Sequence, residues 1–424
     1  MKADPRSEIA AAPAVGRVRG NGPAVGRVRG PGLDDRRTTL DDRRTTGPDG
    51  RRAAPGVYLG SAHRRRIRRR RALLVCVLTA MLLASGTVVT AAVLAGRFDR
   101  AVNHADLLGD ARSGPHQAVA GPLNFLLIGS NYRAWDPSNG ERADSILIVH
   151  VPRSMDRAFL VSVPRDLYYT IKPYPPTHFG GSTEKIDAAL NFGGMPLMSQ
   201  SVADLTGLRF DGAVEARFDG FTKAVQVLGG VDMCVDEKTV SIHIGHDKSG
   251  KLATPYTETE AEPIPVPGVT PQVYYPGCQH LAAWQALDFV RQRELLPNGD
   301  YDRQRHQQQF LMAVLKQTTS AGTLSDPVKL DRVLQAIGKS LTVDTNGTSV
   351  ADFIFALRGI KADSLVGLRT PSHPEMIGDT SYVIGDPDMD ELWQAIRDDT
   401  LADYAAAHPQ DVNSLHNAVP AARK

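Results

Sequence analysis

Cysteine is scarce. The 424 residues hold three, Cys76, Cys234 and Cys278, and their spacings match no zinc pattern. Charge is absent from Ala72 to Gly96, the 25-residue run "ALLVCVLTAMLLASGTVVTAAVLAG". As a helix that run spans roughly 37 Å, enough to cross a hydrocarbon core about 30 Å thick. The segment before it, residues 1–71, has abundant Gly and Pro and few aliphatic clusters, which excludes a packed core there and predicts disorder. It also has no folded DNA-reading element, which speaks against direct transcription control.

What is present is unevenly placed. The whole chain carries +2, but residues 1–71 hold 19 of the 49 basic and 7 of the 47 acidic residues, a net +12, and everything from Arg97 onward sums to −10. Such a split points to two compartments. Seven arginines in "RRRIRRRR" (Arg64 to Arg71) abut the apolar run, against a lone Arg97 soon after it, so the N-terminus is expected in the cytoplasm and the rest outside. A cleaved signal peptide is the rival reading. The run is longer than the usual signal core and lies behind about seventy polar residues, which favours a single-pass anchor in the cell membrane. The arm repeats "PAVGRVRG" and "DDRRTT". Beside a membrane its arginines suit anionic lipid headgroups, and nucleic acid is not the expected partner.

Cys234 and Cys278 fall in the outer region, where disulfides persist, and are expected to be bonded; two buried free thiols are the alternative. With 42% hydrophobic content the chain can bury a large core. After a polar linker over 97–120 the pattern is that of one extracellular α/β domain over 121–405, followed by a polar tail over 406–424. "LNFLLIG" (Leu123 to Gly129), "SILIVHV" (Ser145 to Val151) and "AFLVSVP" (Ala158 to Pro164) read as buried strands, with "SLVGLRTP" as a late one. "GGMPLMSQSVADLTGL", "DGFTKAVQVLGG", "HLAAWQALDFVRQR", "RQRHQQQFLMAVLKQ", "DPVKLDRVLQAIGKSL", "SVADFIFALRGI" and "MDELWQAIRDDTLADYAAA" read as helices, and Thr254 to Pro271 as a loop.

Cations gather near the ends of these elements. "FVRQRELLPNGDYDRQRHQQQF" packs Arg291, Arg293, Arg303 and Arg305 into fifteen residues. Arg165 and Asp166 follow one strand, Asn131 and Arg133 follow another, Arg142 and Asp144 precede a third, and Lys185 opens "KIDAALNFGG". Any single arginine is as well explained by a solvated surface or an ion pair. Together, guanidinium forks beside apolar residues suit bidentate contacts to phosphate oxygens, and a pyrophosphate would satisfy several at once.

In this order "NFLLIGS", "RADSILIVHV", "SVPRD", "KIDAALNFGG", "DGFTKAVQVLGGVD", "ALDFVRQR" and "GDYDRQRHQQQFL", over about 190 residues, resemble the LytR-CpsA-Psr family of bacterial envelope enzymes. The resemblance implies a three-layer α/β/α domain with a central mixed sheet and a long apolar groove for a polyprenyl chain. It implies transfer of a glycopolymer from a polyprenyl-pyrophosphate carrier to peptidoglycan or a related wall polysaccharide, with Mg2+ or Mn2+ helping to neutralise the phosphates. Phosphoryl transfer needs charge neutralisation and alignment more than covalent help, so arginines and a divalent cation can carry most of it.

By motif position Asp144 is the expected metal ligand, with Asn131 beside it. Arg165, Arg291 and Arg293 are expected on phosphate oxygens, with Arg133, Arg142 and Lys185 as further contacts and Asp300 and Arg303 as the far wall. Gln307, one helical turn after Arg303, reaches the same groups. Asp166 orients its neighbours. Two positions depart from the family pattern. Asn131 stands where aspartate is common, and His306 where arginine often follows the "DYDR" arginine by three residues, with Arg305 displaced by one. A hydrolase of the same donor and a non-catalytic lipid-carrier binder or regulator stay open beside the transferase.

Overall fold

The computed structural model describes residues 93–415, apart from 95, 115–118, 131–139, 258–262, 321–325 and 340. The basic arm, most of the apolar run, Asn131 and Arg133 lie outside the described residues. Among the described residues no helix is long and apolar enough to cross a membrane.

An eight-stranded mixed sheet organises the domain. Its long strands are β1 (Leu123–Ser130), β2 (Ala143–Val151), β3 (Ala158–Val163), β4 (Gly212–Arg217), β5 (Leu341–Asp344) and β6 (Leu365–Arg369). Their order across the sheet is β5, β4, β1, β2, β3, β6. Two-residue strands close the edges, Asn103–His104 beside β5 and Val412–Asn413 beside β6. The helices are α1 (Ala189–Thr206), α2 (Phe218–Leu228), α3 (Ala283–Phe289), α4 (Asp300–Thr318), α5 (Pro327–Gly338), α6 (Val350–Leu357), α7 (Met389–Arg397) and α8 (Leu401–Ala407).

The alternation of side chains along a strand explains the three layers. Leu126, Ile128, Ile146, Ile148, Phe159 and Val161 face one side and pack with Leu197, Met198 and Val202 of α1 and Trp393 and Ile396 of α7. Leu123, Leu147, Val151 and Leu160 face the other, against Leu311 and Leu315 of α4 and Phe353 of α6. Each such side chain withdrawn from water contributes about 1.5–3 kcal/mol. A third cluster joins Val225 of α2, Val231, Met233, Tyr274, Phe289 and Phe310.

Several local readings change. "HLAAWQALDFVRQR" is not one helix: Gly277–Leu281 is a strand paired with Val231–Val235, α3 ends at Phe289, and Arg291 to Arg293 lie beyond it. The Thr254 to Pro271 loop contains the paired short strands Tyr256–Thr257 and Ile264–Pro265 and the start of the Val269–Tyr274 strand, because β-branched and aromatic residues there find an antiparallel partner. "MDELWQAIRDDTLADYAAA" divides into α7 and α8, with Asp399 between them in the left-handed region at φ 59°. Part of the 97–120 segment is packed, not a bare linker: Leu107, Leu108 and Ala111 are buried, and the Asp344 carboxylate accepts from the Leu107 and Leu108 amides at 3.0 and 3.2 Å. Past residue 405, Val412–Asn413 joins the sheet and Leu415 is buried.

Candidate active site

Sheet register decides which sequence positions meet. β1 is parallel to β4 and, through two antiparallel steps across β2, also to β3, which is parallel to β6. The carboxyl ends of β1, β3, β4 and β6 therefore share one edge of the sheet, the usual place for a ligand in an open α/β sheet. Antiparallel pairing sets Ile146 of β2 opposite Val163 of β3, so Asp144, at the start of β2, lies level with Arg165, just past β3.

There Arg165 Nη1 donates to Asp144 Oδ1 at 2.5 Å, and its Nε lies 3.6 Å from Asp166 Oδ2. Lys185 reaches the same centre because Tyr168–Ile171 and Ser182–Lys185 form a hairpin pairing Tyr168 with Lys185. Its Nζ sits 3.0 Å from Asp166 Oδ1 and 5.8 Å from the centroid of the Tyr382 ring. That ring comes from a second hairpin, Ser372–Ile377 with Thr380–Gly385, which docks through the Val383 amide on the Asp166 carbonyl at 2.9 Å. Arg142 Nη1 donates to Asp187 Oδ1 at 3.0 Å. Arg303, at the first turn of α4 and almost fully buried, ion-pairs with Asp300. Arg293 Nε pairs with Glu294 at 2.8 Å while about a third of its side chain stays exposed.

Electrostatics tie these pairs into one cluster. Burial lowers the Arg165 pKa, but the fields of Asp166, Asp144, Asp300 and Asp187 outweigh that effect and leave it raised. Burial raises Asp166, yet Arg165, Lys185 and Arg293 hold it below the usual carboxylate range. Arg303 is lowered, first by burial, with Arg165 and Arg293 opposing its charge and Asp300 and Asp144 supporting it. So Arg165, Arg293, Arg303, Asp144, Asp300, Asp166 and Lys185 feel one another. Arg291 is half-buried and its field falls on Asp288, a buried carboxylate bonded to Ser241, Tyr274 and Gln292.

Two atoms in the cluster matter most. The Nε donors of Arg165 and Arg303 are buried and have no hydrogen-bond partner among the described residues. A buried donor left unmade costs about 1–3 kcal/mol, so both are primed for an oxygen ligand. Asp144 is one carboxylate, already holding Arg165, and so supplies a single anionic ligand toward a hard divalent ion. Further oxygens would have to come from a phosphate.

Asp187 was not singled out, although it sits in "KIDAALNFGG". Burial pushes its carboxyl up to about 6, opposed by Arg142 and reinforced by Asp166. The native group keeps its proton to a higher pH than the unfolded chain does. Its contribution is therefore most favourable below about pH 4, is lost between about 4 and 6, and is level above. Asp187→Asn should remove that slope and raise stability at pH 7 by at most about 3 kcal/mol, less whatever the lost charge pair with Arg142 contributed. Thermal unfolding of both proteins between pH 4 and 8 checks this; parallel curves would contradict it.

Behind the cluster an apolar cavity of about 360 Å3 runs between the sheet and α2, α4 and α5. Its walls include Leu127, Leu147, Val214, Leu228, Phe310 and Ile337. Gly129, Ser145, Val290 and Gln307 also line it. Ser145 follows Asp144 on β2 and Gln307 lies one turn past Arg303 on α4, so the cavity is lined from two of the elements that carry the charged cluster.

Known proteins resemble the chain over most of its described residues. The LytR_cpsA_psr family description matches residues 93–398. The chain is 25% identical over 290 residues to the cell wall biosynthesis protein LcpA of Corynebacterium glutamicum, covering 60% of this chain and 51% of that protein. It is 30% identical over 228 residues to the polyisoprenyl-teichoic acid–peptidoglycan teichoic acid transferase TagU of Bacillus mycoides, covering 54% and 61%. The chain thus matches about half of the length of the curated relatives. The crystal structure of protein gbs0355 from Streptococcus agalactiae shares the fold, with a TM-score of 0.51 at 18% identity over 66% of this chain and 87% of that one.

Proposed function

The chain belongs to the LytR-CpsA-Psr family, and from that premise we propose that it transfers a glycopolymer from a polyprenyl-pyrophosphate carrier to a hydroxyl of peptidoglycan or another wall polysaccharide. The observation that carries this reading is the pair of buried guanidinium Nε donors of Arg165 and Arg303, without a hydrogen-bond partner among the described residues, together with an apolar cavity lined from β2 and α4, which also carry the charged cluster. An amphiphile with an apolar chain and a diphosphate head matches both. The name of TagU, a teichoic acid transferase acting between a polyisoprenyl-linked polymer and peptidoglycan, supports the same class of donor and acceptor.

In this reading the isoprenoid tail fills the cavity and the pyrophosphate lies across Arg165, Arg293 and Arg303. The acceptor hydroxyl loses its proton to the departing phosphate as its oxygen bonds to the phosphorus that bears the glycopolymer, and the bond from that phosphorus to the bridging oxygen breaks, releasing polyprenyl phosphate. Fixed cations stabilise the charge that develops on the leaving oxygens. Lys185 holds Asp166 in place, and Asp166 in turn restrains Arg165. Mg2+ or Mn2+, held by Asp144 together with phosphate oxygens, would add further charge neutralisation. The uncharged run over 72–96 would anchor the domain outside the cytoplasmic membrane, next to a lipid-borne donor.

The test is transfer from a purified lipid-pyrophosphate donor with and without wall acceptor. Consumption only with acceptor is the expected result; release of phosphate without acceptor would instead identify a hydrolase. A cavity-filling Ala216→Trp variant should lose polyprenyl phosphate that copurifies with the native protein, as read by mass spectrometry, because Ala216 lines the cavity. Unchanged lipid content in that variant would place the tail elsewhere.

A further inference from the structure

The strand Val231–Val235 runs into the carboxylate pair Asp236 and Glu237, and α4 carries Arg305 and His306 past it. Asp236 uses one oxygen twice: Oδ2 accepts from Arg305 Nε at 2.7 Å and from Gln309 Nε2 at 2.9 Å. Its other oxygen, Oδ1, is buried and meets no donor of the described residues in hydrogen-bond geometry. It faces His306 Nε2 at 3.4 Å, and Glu237 Oε1 lies 3.6 Å from the same nitrogen. His306 is fully buried, and neither ring nitrogen has a hydrogen-bond partner. Its ring stacks on Phe289, with centroids 4.3 Å apart and planes 24° from parallel, which fixes the direction in which Nε2 points.

A separation of 3.4 Å is longer than an N–H···O hydrogen bond of about 2.7–3.2 Å. Two buried polar atoms that face each other without bonding are costly, unless a third atom lies between them. Ligand atoms about a four-coordinate ion with bonds of about 2.0–2.1 Å stand about 3.4 Å apart. The three donor atoms lie within 4.8 Å of one another. Charge points the same way. Asp236, Glu237 and the buried Asp302 bring three negative charges, and Arg305, which also donates to Glu237 Oε1 at 2.5 Å and Asp302 Oδ1 at 2.6 Å, returns one. With neutral imidazole the deficit is two, the charge of a divalent cation.

We propose that Asp236, Glu237 and His306 form a binding site for one divalent transition-metal ion of zinc type, separate from the pyrophosphate cluster. The imidazole ligand selects against magnesium and calcium. Arg305 acts from outside, holding both carboxylates so that Asp236 Oδ1 faces inward. Where the family resemblance leads one to expect arginine, this chain has His306. A long side chain carrying its own cation is replaced by a short neutral base, and the metal supplies the missing charge. The ion would clamp α4, and with it Arg303 one turn earlier, to the segment that follows Cys234.

The test uses the full chain, purified in detergent without a polyhistidine tag, stripped by chelator and titrated with Co2+ and Zn2+. One Co2+ per chain with the intense visible absorption of a four-coordinate site is expected, with excess Mg2+ failing to compete. His306→Gln should weaken Zn2+ by roughly 100-fold or more, since even outer partners of a metal ligand are worth 10–100-fold. His306→Arg should fold as stably without metal as the native protein does and bind none there. Equal Zn2+ affinity in all three proteins would overturn the proposal. So would a native protein with no such Co2+ spectrum whose Tm falls as pH rises from 5 to 8 while that of His306→Arg does not, since that identifies the imidazole as a protonated partner of Asp236.

Discussion

Replacing Arg293 by Ala is expected to lower glycopolymer transfer by about 10²–10³-fold, the cost of removing one preorganised charge contact, while leaving Tm almost unchanged. Its guanidinium is partly exposed and, among the described residues, pairs with the neighbouring Glu294, so little folding energy rests on it. Arg303→Ala should behave differently. That side chain is buried against Asp300, and its loss leaves a largely buried carboxylate without its cation at about 3 kcal/mol, a fall in Tm of roughly 10 °C in a domain of this size. Transfer rates and thermal unfolding of the two variants side by side provide the check. A large stability loss for Arg293→Ala with transfer retained would make that arginine structural.

Breaking the disulfide is expected to cost a comparable amount of stability. Cys234 and Cys278 stand opposite each other in the antiparallel pair of Val231–Val235 with Gly277–Leu281 and are bonded. With 44 residues of separation, the chain-entropy relation gives about 4 kcal/mol for closing that loop. The bond ties the beginning of the long excursion through Tyr256–Thr257 and Ile264–Pro265 to its end. The double variant Cys234→Ser, Cys278→Ser should therefore melt roughly 10 °C lower than the native protein under non-reducing conditions, and the native protein with reductant should follow it. Free thiols at both positions in non-reducing peptide mapping of the native protein would contradict the pairing.

Some of this was written in short windows of sequence. β1, β2 and β3 announce themselves as branched apolar runs bounded by turn residues, because a strand buried on both faces needs apolar side chains at every position. α4 follows from its helical periodicity, and the density of arginines from Arg291 to Arg305 stands out before any fold is known. The seven ordered motifs carried the family. What stayed hidden was mostly short. The hairpins at Tyr168–Lys185 and Ser372–Gly385 have mixed, half-exposed patterns with no strong period, and they became strands only because partners lay beside them.

Which charged residues act together was decided by the tertiary structure. Arg165, Arg293 and Arg303 converge because β3 ends where α4 begins, whereas Arg291, two residues from Arg293, exerts its field on Asp288. Asp187 is an ordinary aspartate in sequence. Its carboxyl rises to about 6 only because folding buries it. His306 could be recognised as a departure from arginine, yet its three close neighbours, Asp236, Glu237 and Phe289, come from elsewhere in the chain. The physical reason is one of range. Periodicity and turn chemistry depend on neighbours within a few residues, so sequence alone determined the long central strands, most helices and the family. Desolvation and Coulomb energy depend on groups brought within a few ångströms from distant positions, and only the packed sheet and helices set those distances.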